Sequence, residues 1–536
     1  MVTQAGRHAG GKQQNEERIV SDTGVIDVLI VGAGPTGATL AIDLLRRGLA
    51  VRIIDKAAAS FEGSRAKGVQ PRSLEVFEDL GAVDEVLKGG GAYPLLGIHL
   101  GPLVVPWRMI AARPRTDDVP FPSTLLIPQS RTDRALLNRL HSLGCSVEYN
   151  KELLDLAQDR EMVVAQVAGP GGPEAITARY LVGADGGASA VRGSLQINFA
   201  GTTDEADRMI IVDAATTGLS RNRWHVWPGP AGQFVGACPL PHSELFQWMI
   251  RLAPDEKPDL EPAALNQRIQ ARVRNRRVEL HDIHWISVFR PNIRMAEHYR
   301  RDRVFLAGDA AHVHTPAGAQ GLNTGVQDAY NLGWKLAQVL AGADPRLLDT
   351  YEAERAPIAA AVLALSTRKY LGIAKLDPSS IRRGKDETQL SLTYRGGPLA
   401  PDSADRTARL KVGDRAPDAI LTAAGGEKIR LFDIYRGPHF TAIAYGDPAA
   451  RELEGLDWPS TGAPLRRVFV DAGNARSADQ SHLDPRRTFR RGYGLTGPTL
   501  LLIRPDGYLG NIATRDMLAA TQAVIHNLVP ASAPIR

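Results

Sequence analysis

The chain has 536 residues, 43% hydrophobic and 23% charged, enough for sizeable buried cores and, at roughly 150 residues per domain, for about three or four folding units. A formal charge of +5 with no block of like charges excludes the basic footprint of a nucleic-acid binder and leaves a mild bias toward anionic ligands such as a dinucleotide. Its two cysteines, Cys145 and Cys238, lie far apart, which excludes a disulfide framework and a cysteine-based metal site and fits a reducing compartment.

Residues 1–24 are polar and lack the apolar run of a signal peptide, so a disordered leader is expected. No uncharged apolar stretch approaches the roughly 20 residues that span a bilayer, and a cytoplasmic protein without membrane contact is expected. Val25-Ile26-Asp27-Val28-Leu29-Ile30-Val31 is short and β-branched, as a buried parallel strand should be. Glycines follow, then a helix with Leu40, Ala41, Leu44 and Leu45 on one face, stopped at Gly48. Val51-Arg52-Ile53-Ile54-Asp55 is the next strand, completing a βαβ unit and implying a parallel sheet.

Residues 95–127, rich in proline and apolar residues, read as part of an inserted lobe, and 132–143 as a short helix before Val147-Glu148-Tyr149. Residues 163–168 and 178–182 read as hairpin strands, and 195–290 as a mostly antiparallel sheet. Val304-Phe305-Leu306-Ala307 is another buried strand, followed by a helix with Val326, Ala329, Gly333, Leu336 and Leu340 at helical spacing. Residues 375–411 are polar and rich in Gly, Pro, Ser and Arg, as a linker would be, and a separate unit begins at 412. The expected class is α/β: a Rossmann-like domain with an inserted antiparallel lobe and a C-terminal domain.

The first chemistry lies in Gly32-Ala33-Gly34-Pro35-Thr36-Gly37, which follows a strand and opens a helix. Its glycines allow a tight turn and close backbone approach, and the helix N-terminus offers N–H groups to a pyrophosphate. Asp55, about 20 residues on, can accept ribose hydroxyls, with Lys56 beside it. This motif does not separate FAD from NAD. Two further carboxylates end strands, Asp185 in Gly183-Ala184-Asp185-Gly186 and Asp309 in Ala307-Gly308-Asp309-Ala310. Strand C-termini are where open α/β sheets bind ligands.

The ordered trio, with His312-Val313-His314-Thr315-Pro316-Ala317-Gly318-Ala319-Gln320-Gly321-Leu322-Asn323-Thr324-Gly325 after it, resembles the class A, single-component FAD-dependent aromatic hydroxylases of the p-hydroxybenzoate and phenol hydroxylase type. The likeness is greater to members with a C-terminal thioredoxin-like domain, including polyketide and antibiotic hydroxylases. It implies FAD as cofactor, NADPH or NADH as cosubstrate, and O2 activated as a C4a-hydroperoxyflavin that hydroxylates a phenolic or polyketide-like substrate. Baeyer–Villiger oxygenation of a polyketide and hydroxylative inactivation of an antibiotic remain open beside it. Relatives are often dimers, which leaves a homodimer open.

By the resemblance, Gly308 and Asp309 bind the ribityl or pyrophosphate region. Pro316, Gly318 and Gly321 clear the loop for the flavin ring, and the amides of Leu322 and Asn323 face its pyrimidine edge, where a helix N-terminus stabilises negative charge. Arg65, in Ser64-Arg65-Ala66-Lys67-Gly68, and Gln129 match cofactor contacts. The FAD-binding domain is expected over 25–94, 128–194 and 291–374, and the substrate lobe over 95–127 and 195–290.

Trp224, His225 and Trp227 are candidates to line an aromatic pocket. His225 is weighed as a base against a satisfied core histidine, and no catalytic side chain is assigned because the flavin is the catalyst. His312 and His314 alone are too few ligands for a metal. In 412–536, Gly497-Pro498-Thr499 before an apolar strand and a Pro505-Asp506-Gly507 turn resemble thioredoxin, where the proline is cis. The unit has no cysteine, so a structural role is expected.

Overall fold

The computed structural model describes residues 24–111, 113–254, 256–315, 318–374, 377–384, 386–401, 409–473 and 481–529. The expected leader, apart from Gly24, and Pro316 lie outside the described residues.

The first domain is built on β1 (Ile26–Val31), α1 (Pro35–Leu45), β2 (Val51–Asp55), α2 (Gln129–Ser142), β3 (Gly172–Gly183), β4 (Val304–Leu306), α3 (Gly321–Leu340) and α4 (Asp349–Ala374). β1 is buried from Val28 to Val31 because it lies between two parallel neighbours, β2 and β3. The sheet continues outward through β4 on one side and Glu148–Tyr149 on the other. β3 does two jobs. Its first half, from Gly172 to Ala178, forms a hairpin with Val163–Gly169, whereas residues 178–182, expected as the hairpin strand, run parallel beside β1. The helix expected over 132–143 starts earlier, at Gln129.

α3 is buried almost all round, from Asn323 to Leu336, and lies against α1. Gly333 permits that approach, since a Cβ there would meet the Asp43 carboxylate at 2.3 Å.

The inserted lobe is a seven-stranded sheet ordered Glu279–Phe289, Met209–Thr217, Leu245–Arg251, Phe234–Pro239, Arg223–Pro228, Leu95–Leu100 and Leu103–Trp107. Its pairings are antiparallel except where Arg223–Pro228 runs parallel to Leu95–Leu100, joining the two separated stretches. One face, with Ile210, Val212, Trp227 and Trp248, is closed by the helix Pro262–Val273 through Leu265 and Ile269. Strand alternation puts Asp213, Trp224, Gln247 and Met249 on the other face, toward the first domain. Phe199–Thr203, expected in this lobe, instead pairs with Asn292–Ala296 in a separate three-stranded sheet.

The C-terminal unit has its own seven-stranded sheet. Leu465–Val470 runs parallel to Phe440–Tyr445, and Thr499–Ile503 and Leu509–Ala513 follow antiparallel on the other side. The Gly497–Pro498 peptide is trans, no cis peptide occurring among the described residues, which departs from the thioredoxin pattern. One apolar cluster joins Trp334 and Leu347 of the first domain to Phe440, Leu500 and Leu528.

The stretch expected as a linker is exposed over much of its described length but packs inward at a few points. Glu387, Thr388, Gln389 and Tyr394 are buried, and Tyr394 stacks on Tyr508 at 4.3 Å between ring centroids. Its polar composition misleads because those side chains hydrogen-bond inward. Among the described residues no helix is long and apolar enough to cross a membrane.

Candidate active site

The glycine loop leaves the C-terminal end of β1. Gly32 has φ +104°, and a Cβ there would strike the Ala184 carbonyl oxygen at 2.3 Å. A Cβ on Gly37 would strike the Gly32 carbonyl oxygen at 1.9 Å, so only glycine lets α1 start this close to the sheet. Gly34 differs, because a Cβ there meets nothing within 4 Å. Its backbone fronts an open cradle. α1 has no side-chain cap, and its first intrahelical bond runs from Ala38 N to Gly34 O at 3.0 Å, leaving the preceding amides for an anion.

Asp55 closes one side. Its Oδ2 accepts from Ala33 N at 2.7 Å and its Oδ1 from Ala57 N at 2.8 Å, which fixes the carboxylate at the loop edge with lone pairs to spare for ribose. Lys56 is exposed beside it. Thr36 is wedged between Gly308 and Gly325, where an added Cβ would approach its Oγ1 to 2.5 and 2.3 Å. The three motifs are thereby locked together.

Asp309 lies just past β4 and opens to the cleft. Crowding by the surrounding protein pushes its carboxyl above the usual range, opposed by His312 and Arg65. Arg65 is exposed and close enough to act on Asp309. Gln129 heads α2, where its Oε1 accepts from Ala66 N at 3.3 Å and its Nε2 donates to Asp133 at 3.4 Å. Asp185 is tied to the next helix, accepting from Ser189 Oγ at 2.6 Å and Val191 N at 3.1 Å.

α3 also starts without a side-chain cap or an acidic residue in its first turn. The amides of Gly321, Leu322 and Asn323 precede the first helical bond, Thr324 N to Gln320 O at 2.9 Å. The Asn323 side chain turns away, accepting from Gln70 N at 2.7 Å and donating to Gly68 O at 2.8 Å, and so ties α3 to the Arg65 loop. Gly318, at φ +99°, and Ala319, at φ +53°, bend the approach.

Behind this loop lies a network that sequence reasoning missed. His312 Nε2 meets Asp328 Oδ2 at 2.6 Å, Arg355 Nε donates to Asp328 Oδ1 at 2.7 Å, and all three residues are fully buried. His312 Nδ1 bonds His314 Nε2 at 2.9 Å, so the two histidines weighed as metal ligands serve each other. Burial pushes His314 down to about 3, helped by His312.

The three pocket candidates do not share a face. Trp224 looks toward the first domain, with the Lys67 ammonium 4.3 Å from its ring centroid and Tyr93 at 6.2 Å. His225 and Trp227 point the other way. His225 Nε2 donates to Ser220 O at 2.8 Å, its Nδ1 meets His99 Nε2 at 2.9 Å, and Trp227 stacks on His99 at 4.5 Å. Strand periodicity alone separates them: residues 224 and 225 face opposite sides.

The donor set fits FAD. It comprises two uncapped helix N-termini, an open glycine, the Asp55 carboxylate at the loop edge, and Arg65 acting on Asp309. The fold and site define a flavin-binding oxidoreductase.

Residues 25–366 match the FAD binding domain family. A flavin-dependent monooxygenase of Mycobacteroides abscessus is 42% identical over 493 residues, covering 90% of this chain and 96% of that one. The 6-methylpretetramide 4-monooxygenase of Streptomyces rimosus is 32% identical, covering 95% of each chain. The solved structure of aklavinone-11 hydroxylase with FAD and aklavinone superposes with a TM-score of 0.79 at 26% identity, covering 94% of this chain and 99% of that one. The chain belongs to the class A FAD-dependent aromatic hydroxylase family. It is an FAD-dependent monooxygenase, in a family that draws electrons from NAD(P)H and oxygen from O2.

Proposed function

We propose that this monooxygenase hydroxylates an aromatic substrate of the phenolic or polyketide type. The observation that carries the reading is the lobe face of Trp224 and Met249, with Tyr93 beside it, packed against Lys67 of the loop that carries Arg65. Relatives named for 6-methylpretetramide and pentachlorophenol support it.

The family's FAD, when bound, supplies the oxygen chemistry that side chains cannot. The chain's own residues bind and orient. On this reading Gly34 and the α1 N-terminus take the diphosphate, Gly32 and Gly37 hold the turn, and Thr36 and Pro35 start the helix. Asp55, with Lys56 beside it, takes ribose; Arg65, Gln129, Asp309 and Gly308 hold the flavin chain, and Asp185 flanks it. Gly318, Gly321, Leu322 and Asn323 bring helix-end amides to the pyrimidine edge, where they stabilise negative charge. Pocket lining passes to Trp224, while His225 and Trp227 hold the lobe core.

The reading keeps the expected division except that Phe199–Thr203 leaves the lobe sheet and the linker is partly packed, and it takes 412–536 as a thioredoxin-like unit, with its sheet order in support, confined to packing by its lack of cysteine. A cytoplasmic setting completes it. The test is NADPH and NADH oxidation in air against a panel of phenols and polyketide aromatics. Stimulated oxidation with a ring-hydroxylated product is expected. An ester or lactone product would move the assignment to oxygen insertion beside a ketone, and no stimulation by any aromatic would defeat it.

A further inference from the structure

The surroundings of Trp224, on the lobe face turned toward the first domain, hold hydrogen-bond donors that lack acceptors. Lys67 sits there. Its ammonium is in hydrogen-bond contact with the Gln247 side-chain oxygen and lies 3.7 Å from the Met249 sulfur, a neutral amide and a thioether. Among the described residues no carboxylate lies within ion-pair distance of it. The nearest acid, Asp213, is already occupied, accepting from Ser64 N at 2.6 Å and Ser64 Oγ at 2.5 Å.

Three further donors lie on or near the sheet face that Lys67 covers at Trp224. Trp224 Nε1, Trp107 Nε1 and Arg383 Nη1 are buried without a partner. They are neighbours in the fold. Trp224 and Trp107 flank Leu96 on one sheet face, and Arg383 N donates to Met109 O at 2.9 Å, two residues beyond Trp107. Arg383 also acts electrostatically on Lys67 and on Tyr93. Lys67 is half-buried, its ammonium packed over the Trp224 ring. Burial lowers its pKa, as expected for a cation that lacks a counter-ion.

Buried donors without acceptors and a cation without an anion carry a desolvation cost, which a ligand that brings the missing groups offsets. We propose that Lys67, backed by Arg383, anchors an ionised oxygen of the substrate, a phenolate or enolate, with Trp224 and Trp107 donating to its neighbouring oxygens. The inference rests on the aromatic reading above and narrows it to oxygen-rich rings bound as oxyanions. An ionised ring oxygen also makes the ring a better nucleophile, so the same contact serves binding and reactivity.

The test compares pairs that differ only in their ability to ionise: pentachlorophenol with pentachloroanisole, and alizarin with its dimethyl ether. Each is titrated into FAD-loaded protein and read by perturbation of the flavin spectrum, in wild type, Lys67→Met and Lys67→Arg at equal FAD content. Wild type is expected to favour the ionised member by about tenfold or more, as for a charge-assisted hydrogen bond. Lys67→Met should reduce that preference to about twofold, and Lys67→Arg should keep most of it. Equal binding of phenol and ether by wild type, or a preference that survives Lys67→Met, overturns the anchor and leaves the aromatic reading standing. No perturbation by any member overturns both.

Discussion

Gly32 and Gly34 lie two residues apart and are glycine for different reasons. Gly32 is held at positive φ against Ala184, so Gly32→Ala should destabilise the apoprotein. Gly34 has extended backbone and open space in front, so Gly34→Ala should leave the melting temperature of the apoprotein within about 1–2 °C of wild type while weakening FAD binding by about tenfold or more. Thermal melts of the apoprotein and FAD titration check both. Equal effects of the two substitutions on melting would show that Gly34 is structural.

His314 gives a pH prediction. Its folded form stays neutral down to about 3, whereas the unfolded imidazole protonates near 6.5. The unfolded state therefore binds the extra proton between those values. Stability from this residue is intact above about 6.5 and falls by about 1.4 kcal/mol per pH unit as the pH drops toward 3. His439, pushed down to about 4 by burial, acts in the same direction. Urea unfolding from pH 8 to 5 should show the slope, and His314→Gln should flatten it.

The glycine motif was legible because close backbone approach permits one residue type. Lys67 stood in a quoted motif without being singled out, since its role depends on Gln247 and Met249, some 180 residues away in sequence. The His312–Asp328–Arg355 network was invisible for the same reason: ordinary residues become a unit only when α3 and α4 pack.

At the scale of elements, α3 carries much of the site. Its N-terminus has free amides, and about two turns on its Asp328 receives Arg355 from α4 and His312 from the loop. Arg355→Met would leave a buried carboxylate with one fewer charge partner and should cost about 3–5 kcal/mol in denaturant unfolding. A loss below about 1 kcal/mol would show that His312 alone satisfies Asp328.

The strand Arg223–Pro228 shows what pattern reading captured and what it lost. Its existence and aromatic content were evident in sequence, but three candidates were grouped where alternation allows two faces. Trp227→Leu should lower the melting temperature, because that ring lies in the lobe core with Trp248. Trp224→Leu should spare the fold and raise the KM for an aromatic substrate. The reverse outcome would exchange the two faces.

At the scale of the whole molecule, the C-terminal unit is fastened by charge as well as by apolar packing. Arg504 donates to Glu354 at 2.6 and 2.9 Å and to Asp506 at 3.0 and 2.6 Å, while Lys335 donates to Glu354 at 2.7 Å. All four are buried, with two charges of each sign. Burial alone would push Glu354 up, but Arg504 and Lys335 hold it at about 2. The domains should therefore unfold in one cooperative transition, and Arg504→Met should lower its midpoint by disrupting the junction. Two separated transitions in wild type would contradict this coupling. The α/β class was readable from periodicity, whereas this junction joins Glu354 to Arg504, 150 positions apart, which no local pattern marks.

The central claim is oxygenation of an aromatic ring by bound FAD. It is tested most directly by giving the FAD-loaded protein NADPH, an aromatic that stimulates its oxidation, and isotopically heavy O2, then weighing the product. The account predicts a ring-hydroxylated product carrying one heavy oxygen atom, dependent on FAD. A product that takes its oxygen from water, or NADPH oxidation that yields only hydrogen peroxide with every aromatic tried, would contradict it.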